Sequence, residues 1–316
     1  MRSGSRSPTA AMPTRGARPA RQTPTTAAVT TTPTDWLGVR GGALCRPDGQ
    51  RVQLRGVQLP LQWQGAAAAT ADAAALQDAH ILLAEVPHGQ RCVALRLHLV
   101  AQLQPAALAA LDQHIACLAQ AGTYTLLRLE ARLWMHGHHL RLARRYAGHS
   151  TVMFGLMGRS ALAARLATAM QGIHAVHPRA LVWLPLASAA VALQQGIDQG
   201  LGLLWDAERP QGPHASLLTA ALRHPVLLDG WQPQALSALA QERLIALCSH
   251  GGMGWLAHAA EPWLARERGL PVLSRSARCV QRAAHLSSAF HPGVQGPHAT
   301  HTPHPLAFQP KEFPWL

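Results

Sequence analysis

Lysine is almost missing from this chain of 316 residues: Lys311 is the only one, so the other basic side chains are arginines. Together, 28 Lys plus Arg against 15 Asp plus Glu leave a formal net charge of +13. The arginines are scattered, without basic blocks interleaved with exposed aromatics. No specific nucleic-acid surface is therefore expected, only weak attraction to acidic polymers. No run of about 18 uninterrupted apolar residues exists, which excludes a membrane-spanning helix. The longest candidate, around Ala180 to Leu193, is broken by Pro185. Cysteines are few. Cys45, Cys92, Cys117, Cys248 and Cys279 are odd in number, widely spaced and lack any CxxC, so neither a disulfide framework nor a zinc knuckle is written here. No pattern asks for a cofactor, and none is expected. What the chain does have is apolar residues, at 48%, enough to exclude global disorder and to build a soluble globular core.

Composition divides the chain into three. Residues 1–34 are rich in Ser, Thr, Pro, Ala and Arg, without periodicity or an apolar centre, and read as a disordered leader. The stretch lacks the apolar centre of a secretory signal peptide. Two readings stay open for it: a solvated leader, or a non-cleaved address for a bacterial secretion needle, so localisation is left as cytoplasmic or exported by a non-classical route. Residues 35–275 alternate short apolar runs with helix-like stretches. Residues 276–316 read as a helical and then His/Pro-rich extension, holding His285, His291, His298, His301 and His304.

Eight runs in the middle segment read as strands: Val52–Leu59, Cys92–Leu99, Thr123–Glu130, Thr151–Met157, Leu181–Leu186, Leu201–Asp206, Pro225–Asp229 and Gly252–Leu256. Between them, Pro105–Ala121 carries Leu108, Leu111, Ile115 and Leu118 on one helical face, with Pro105 in its first turn and Gly122 as its stop. Ser160–Val176 and Gln234–Cys248 have the same character. Strand–helix alternation predicts a parallel sheet, and eight strands over about 240 residues predict an α/β fold of the (β/α)8 TIM-barrel class. Function then sits where each strand ends: Arg96 and His98, Glu130, Gly158 and Arg159, Asp206 and Glu208, Asp229, and His258.

In order, the same segments resemble the cellulase-like glycoside hydrolases of family 5, clan A. Cys45-Arg-Pro-Asp-Gly-Gln-Arg-Val-Gln-Leu-Arg-Gly-Val-Gln58 is similar to their first strand, and Val93-Ala-Leu-Arg-Leu-His98 to the second, with a site-facing Arg96. Gly122-Thr-Tyr-Thr-Leu-Leu-Arg-Leu-Glu130 resembles the third. Arg144-Arg-Tyr-Ala-Gly-His-Ser-Thr-Val-Met-Phe-Gly-Leu-Met-Gly-Arg-Ser160 is the most specific match, to the family's fourth-strand phrase ending in Asn-Glu-Pro. His224-Pro-Val-Leu-Leu-Asp-Gly230 and Gly252-Met-Gly-Trp-Leu-Ala-His258 resemble the seventh and eighth. The resemblance spans Trp36 to Arg275 and implies the barrel, an O-glycosyl hydrolase ancestry, and a polysaccharide or oligosaccharide partner.

It also implies a damaged site. The family's acid/base glutamate falls on Arg159 and its nucleophile on Asp229, while the third-strand histidine falls on Glu130 and the eighth-strand tryptophan on His258. An arginine stays protonated and delivers no proton to a leaving oxygen. An aspartate is one methylene too short to attack in place of glutamate. These departures predict a catalytically impaired relative that still binds sugar at the barrel mouth. Candidate binding residues are Arg96, His98, Trp134, Gly158, Trp205, Asp206, Trp231, Trp255 and His258, with Trp63 as a further candidate platform. An Arg159–Asp229 ion pair is expected to close the old dyad, the alternative being that Arg159 swings out to solvent. Two rivals remain: an active enzyme with a shifted carboxylate pair such as Glu130 and Asp229, or Asp206 and Glu208, and a secreted bacterial effector that uses the barrel as a scaffold for a protein partner. His136, His138 and His139 follow the third strand, but without a carboxylate at ligand spacing they predict no metal site.

Overall fold

The computed structural model describes residues 36–59, 65–87, 89–97, 103–206, 223–258, 263–267 and 270–289. The leader, Trp63, His98, Glu208 and the last four histidines lie outside them. Three short strands come first: β1 (Gly38–Arg40), β2 (Ala43–Cys45) and β3 (Arg51–Val52), an antiparallel meander. Eight parallel strands then close into a barrel: β4 (Arg55–Leu59), β5 (Arg91–Leu97), β6 (Thr123–Leu129), β7 (Val152–Leu156), β8 (Val182–Pro185), β9 (Leu201–Asp206), β10 (Val226–Trp231) and β11 (Gly254–Ala257). β11 pairs with β4 through Trp255, Leu256 and Ala257, which closes the ring. An antiparallel hairpin, β12 (Leu264–Glu267) and β13 (Leu270–Leu273), follows. The predicted (β/α)8 barrel is the observed fold, and each predicted strand overlaps one of β4 to β11, with β10 and β11 running on to Trp231 and Ala257.

The described helices are α1 (Gly65–Leu82), α2 (Pro105–Gln120), α3 (Ala131–Met135), α4 (His138–Arg145), α5 (Ala163–Val176), α6 (Leu186–Gln194), α7 (Ala238–His250) and α8 (Arg275–Ala289). Pro105 opens α2, where its missing N–H costs nothing, and Leu108, Leu111, Ile115 and Leu118 are its buried residues, as their spacing predicts. Ser237 caps α7 by accepting from the Ala240 N–H, so that helix starts later than the sequence suggests.

Strand alternation sorts the core into two layers. Leu54, Cys92, Ala94, Tyr124, Leu126, Met153, Trp183, Leu204, Leu227 and Leu256 fill the barrel interior, joined by Leu37 and Leu44 of the N-terminal segment. Their outward-facing neighbours, such as Val57, Val93, Leu95, Leu127, Phe154, Val182, Leu203 and Leu228, pack under the helices. Gly56 marks the tightest approach within the barrel wall: a Cβ there would stand 1.6 Å from the Cys92 carbonyl oxygen.

The packed ring does not stop at residue 275. Ala277, Val280, Ala283 and Ala284 of α8 belong to the same helix–barrel core. The buried Arg55 guanidinium donates to the Ser287 carbonyl, and Trp255 Nε1 donates to Ser287 Oγ. A cation at the carbonyl end of a helix is favourably placed. Burial holds the Arg55 guanidinium below its ordinary value, at about 10. The final helix is thus a structural part of the barrel rather than an appendage.

Candidate active site

At the C-terminal ends of the strands, inward-facing positions stack in two levels, because residues two apart on a strand share a face. On the lower level the Asp229 carboxylate, 3% exposed, is clamped from two sides. Arg128 Nη2 of β6 lies 3.0 Å from its Oδ2, and Gln58 Nε2 of β4 donates to Oδ1 at 2.5 Å. Small residues make room for this cluster. Gly155 on β7 sits beside the Arg128 stem, with its would-be Cβ 3.6 Å from Cγ. Gly230, at φ +75°, would place a Cβ 3.3 Å from Gln58 Nε2. The β10 register shifts there, between Asp229 and Trp231. Cys92 lies beneath; burial, and then the Asp229 charge, push its thiol far above the ordinary cysteine range. A thiol held neutral in this way is a packing group and not a nucleophile.

On the upper level Glu130 accepts from Arg96 Nε at 2.9 Å across the β5–β6 pair. Both side chains are partly open to solvent. The α3 turn follows immediately, tied back to the next loop by Trp134 Nε1 donating to the Met157 carbonyl at 2.8 Å. Arg159 and Ser160 lie on that loop and are exposed. Asp206 at the end of β9 is exposed, and His258 past β11 is half-buried.

The expected Arg159–Asp229 ion pair does not form. Asp229 pairs with Arg128, which points inward from β6, whereas Arg159 is on the exposed rim beyond β7. The four described tryptophans named as sugar platforms do not face the mouth either. Trp134, Trp205, Trp231 and Trp255 are between 1% and 7% exposed, and all belong to the layer between strands and helices. Trp205 alternates with the inward Leu204 and Asp206, so its indole points outward. The register shift at Gly230 turns Trp231 outward as well, edge-on to Trp255 with ring centroids 6.0 Å apart. Gly158 faces the Trp134 ring, its would-be Cβ 3.2 Å from Cζ2. His139 is buried in α4 and held below the ordinary histidine range by burial. No group of three or more His, Cys, Asp or Glu suited to a metal ion occurs among the described residues. No helix among them is long and apolar enough to cross a membrane.

Two members of the buried cluster, Arg128 and Gln58, are absent from the strand-end list that the sequence suggests. The signal was available: Arg128 lies two residues before Glu130 and Gln58 two after Gly56, so strand parity points both inward.

Among solved structures the barrel superposes on sugar-cleaving enzymes. A β-glucanase of Saccharophagus degradans, in complex with cellotetraose, matches 82% of this chain and 94% of its own, with TM-score 0.59 and 13% identity. A β-mannanase of Thermomonospora fusca in complex with mannotriose matches 80% and 97%, at TM-score 0.53 and 14% identity. The fold is that of the cellulase-like glycoside hydrolases. A β-mannanase of Streptomyces thermolilacinus gives TM-score 0.56 at 16% identity, over 80% of this chain and 97% of that one. Neither a protein-family model nor a curated protein sequence matches the chain. At such low identity, the cellulase-like barrel is shared as architecture, and the chemistry has to be argued from the side chains.

Proposed function

We propose that this cellulase-like barrel does not hydrolyse glycosides and instead binds a polysaccharide or oligosaccharide at its mouth. The observation that carries the reading is the engagement of Glu130 and Asp229, the two carboxylates of the expected shifted pair. Retaining hydrolysis needs two carboxyl groups about 5–5.5 Å apart, one attacking and one delivering a proton, and inversion needs a pair about 6.5–9.5 Å apart with a water between. Here Asp229 is buried between Arg128 and Gln58, and Glu130 is turned to Arg96 on the neighbouring strand. The rim position that the resemblance assigns to the proton donor holds Arg159, an arginine in place of a carboxylic acid.

Sugar binding is supported by the fold's solved relatives, which hold cellotetraose and mannotriose, and by the mouth itself. Arg96, Glu130, Asp206 and His258 stand at or just past the ends of β5, β6, β9 and β11 as partly exposed donors and acceptors, suited to hydroxyl groups. With the described indoles turned into the wall, recognition rests on hydrogen bonds more than on stacking.

The test pairs two assays on the full chain. Reducing-end release from soluble β-glucan, mannan and xylan is expected to stay at the buffer blank. Retardation in affinity gels containing the same polymers is expected for at least one of them. Hydrolysis lost in Glu130→Gln would replace this reading with that of a working enzyme on a shifted pair. Absence of both hydrolysis and retardation, with a specific protein captured instead, would favour the effector scaffold.

A further inference from the structure

Among the described residues at the strand ends and in the turns after β6 and β7, arginines outnumber carboxylates. Three carboxylates stand at the ends of the described barrel strands: Glu130, Asp206 and Asp229. Two of them already have a guanidinium, Arg96 for Glu130 and Arg128 for Asp229. Two further arginines lie on adjacent loops of the same rim, Arg132 in the turn after β6 and Arg159 in the turn after β7. Both are exposed, and neither forms an ion pair with a described carboxylate. Their loops are stitched together by the Met157 N–H donating to the Leu129 carbonyl at 2.9 Å and by the Trp134–Met157 hydrogen bond. The backbone segments that carry the two arginines are therefore tied to one another on one side of the opening.

A guanidinium offers a planar fork that matches a carboxylate in a bidentate manner. Two such forks on one rim, with Glu130 and Asp229 already held by other arginines, suit a chain that repeats carboxylates at sugar spacing. We propose that the mouth is selective for anionic polysaccharides, specifically those built of uronic acids, with Arg132 and Arg159 contacting the carboxylates. The inference rests on the mouth being a sugar site, and it names the substrate class of that site.

The experiment measures affinity of the full chain at pH 7.5 for polygalacturonate and alginate against neutral β-glucan and mannan, with dextran sulfate and single-stranded DNA as charge controls. Arg132→Gln and Arg159→Gln are the test variants. Arg179→Gln is the control, since Arg179 is exposed in the connection before β8, at the opposite end of the barrel. All three sites are on the surface, and thermal melts verify that each variant is folded.

Uronate polymers are expected to bind more tightly than neutral ones, each test variant weakening them about fivefold, near the most that one exposed ion pair supplies, and the control leaving them unchanged. Added salt should weaken the interaction. Three results would overturn the inference. Neutral polymers binding best, with no effect of Arg159→Gln, would reject the anionic selectivity and leave the sugar site standing. Dextran sulfate and DNA binding as tightly as uronates, with Arg179→Gln as damaging as the test variants, would reduce the effect to net charge. Failure to bind any polysaccharide would remove the sugar site together with the inference.

Discussion

Replacing Arg128 by methionine tests the buried cluster most directly. The substitution keeps an unbranched apolar stem beside Gly155 and removes the guanidinium, leaving Asp229 with Gln58 as its partner of those two. Breaking a buried ion pair from one side costs about 3–5 kcal/mol, because a charge stays in low dielectric without its counter-ion. For a domain of this size each kcal/mol moves the melting midpoint by about 2–4 °C, so a fall of roughly 6–20 °C is expected. Adding Asp229→Asn removes the charge while keeping an acceptor for Gln58, and it should recover most of the loss. The assay is urea unfolding at pH 7.5, followed by tryptophan fluorescence and circular dichroism for the single and double variants. A single variant within about 1 kcal/mol of the parent, or a double variant no better than the single, would refute the claim that this pair carries the floor of the site.

Two further perturbations are decided by geometry. Gly56→Ala sets a Cβ against the Cys92 carbonyl, which is backbone and cannot step aside, so no folded soluble protein is expected; Gly148→Ala, with nothing within 4 Å, should express and melt like the parent. His174, His177 and His224 lie near the start of β8 and β10, and burial lowers all three below the ordinary 6.5. Because the unfolded chain takes up those protons first, stability is fully present above about pH 7 and falls as the pH drops through 6.5. His177 is packed edge-on to Trp36 and Phe154, with Nε2 unpartnered among the described residues, so His177→Phe should flatten the fall in melting temperature between pH 7 and pH 5.

The barrel was legible because its signals are local and repeated. Each strand is a short apolar run, each run alternates with helix, and errors at one boundary leave the other seven strands in place. The ends were less legible. α7 begins at Ala238 because Ser237 caps it, after a short turn at Pro233–Ala235 that the apolar spacing alone does not distinguish from helix. α3 and α4 are 5 and 8 residues long, too short for a periodicity to declare them. The site was half legible. Asp229, Glu130 and Arg96 fall at strand ends, where Glu130 meets Arg96. The pairing among them was not readable from position alone, since it depends on which level of the barrel each side chain occupies. Arg159 lies two residues after Met157, whose N–H makes the last ladder bond to β6, and by then the chain has left the wall for the exposed rim. Arg128 lies inside the wall, one level below Glu130, and reaches the buried carboxylate first. The same parity explains the tryptophans: Trp205 alternates with inward Leu204 and Asp206, and the extra residue at Gly230 moves Trp231 to the outer face. Arg159, exposed on the rim, makes no contact with the Asp229 carboxylate. What closes the floor is a second arginine and a glutamine that strand alternation placed at the same height, with two glycines clearing the space they fill.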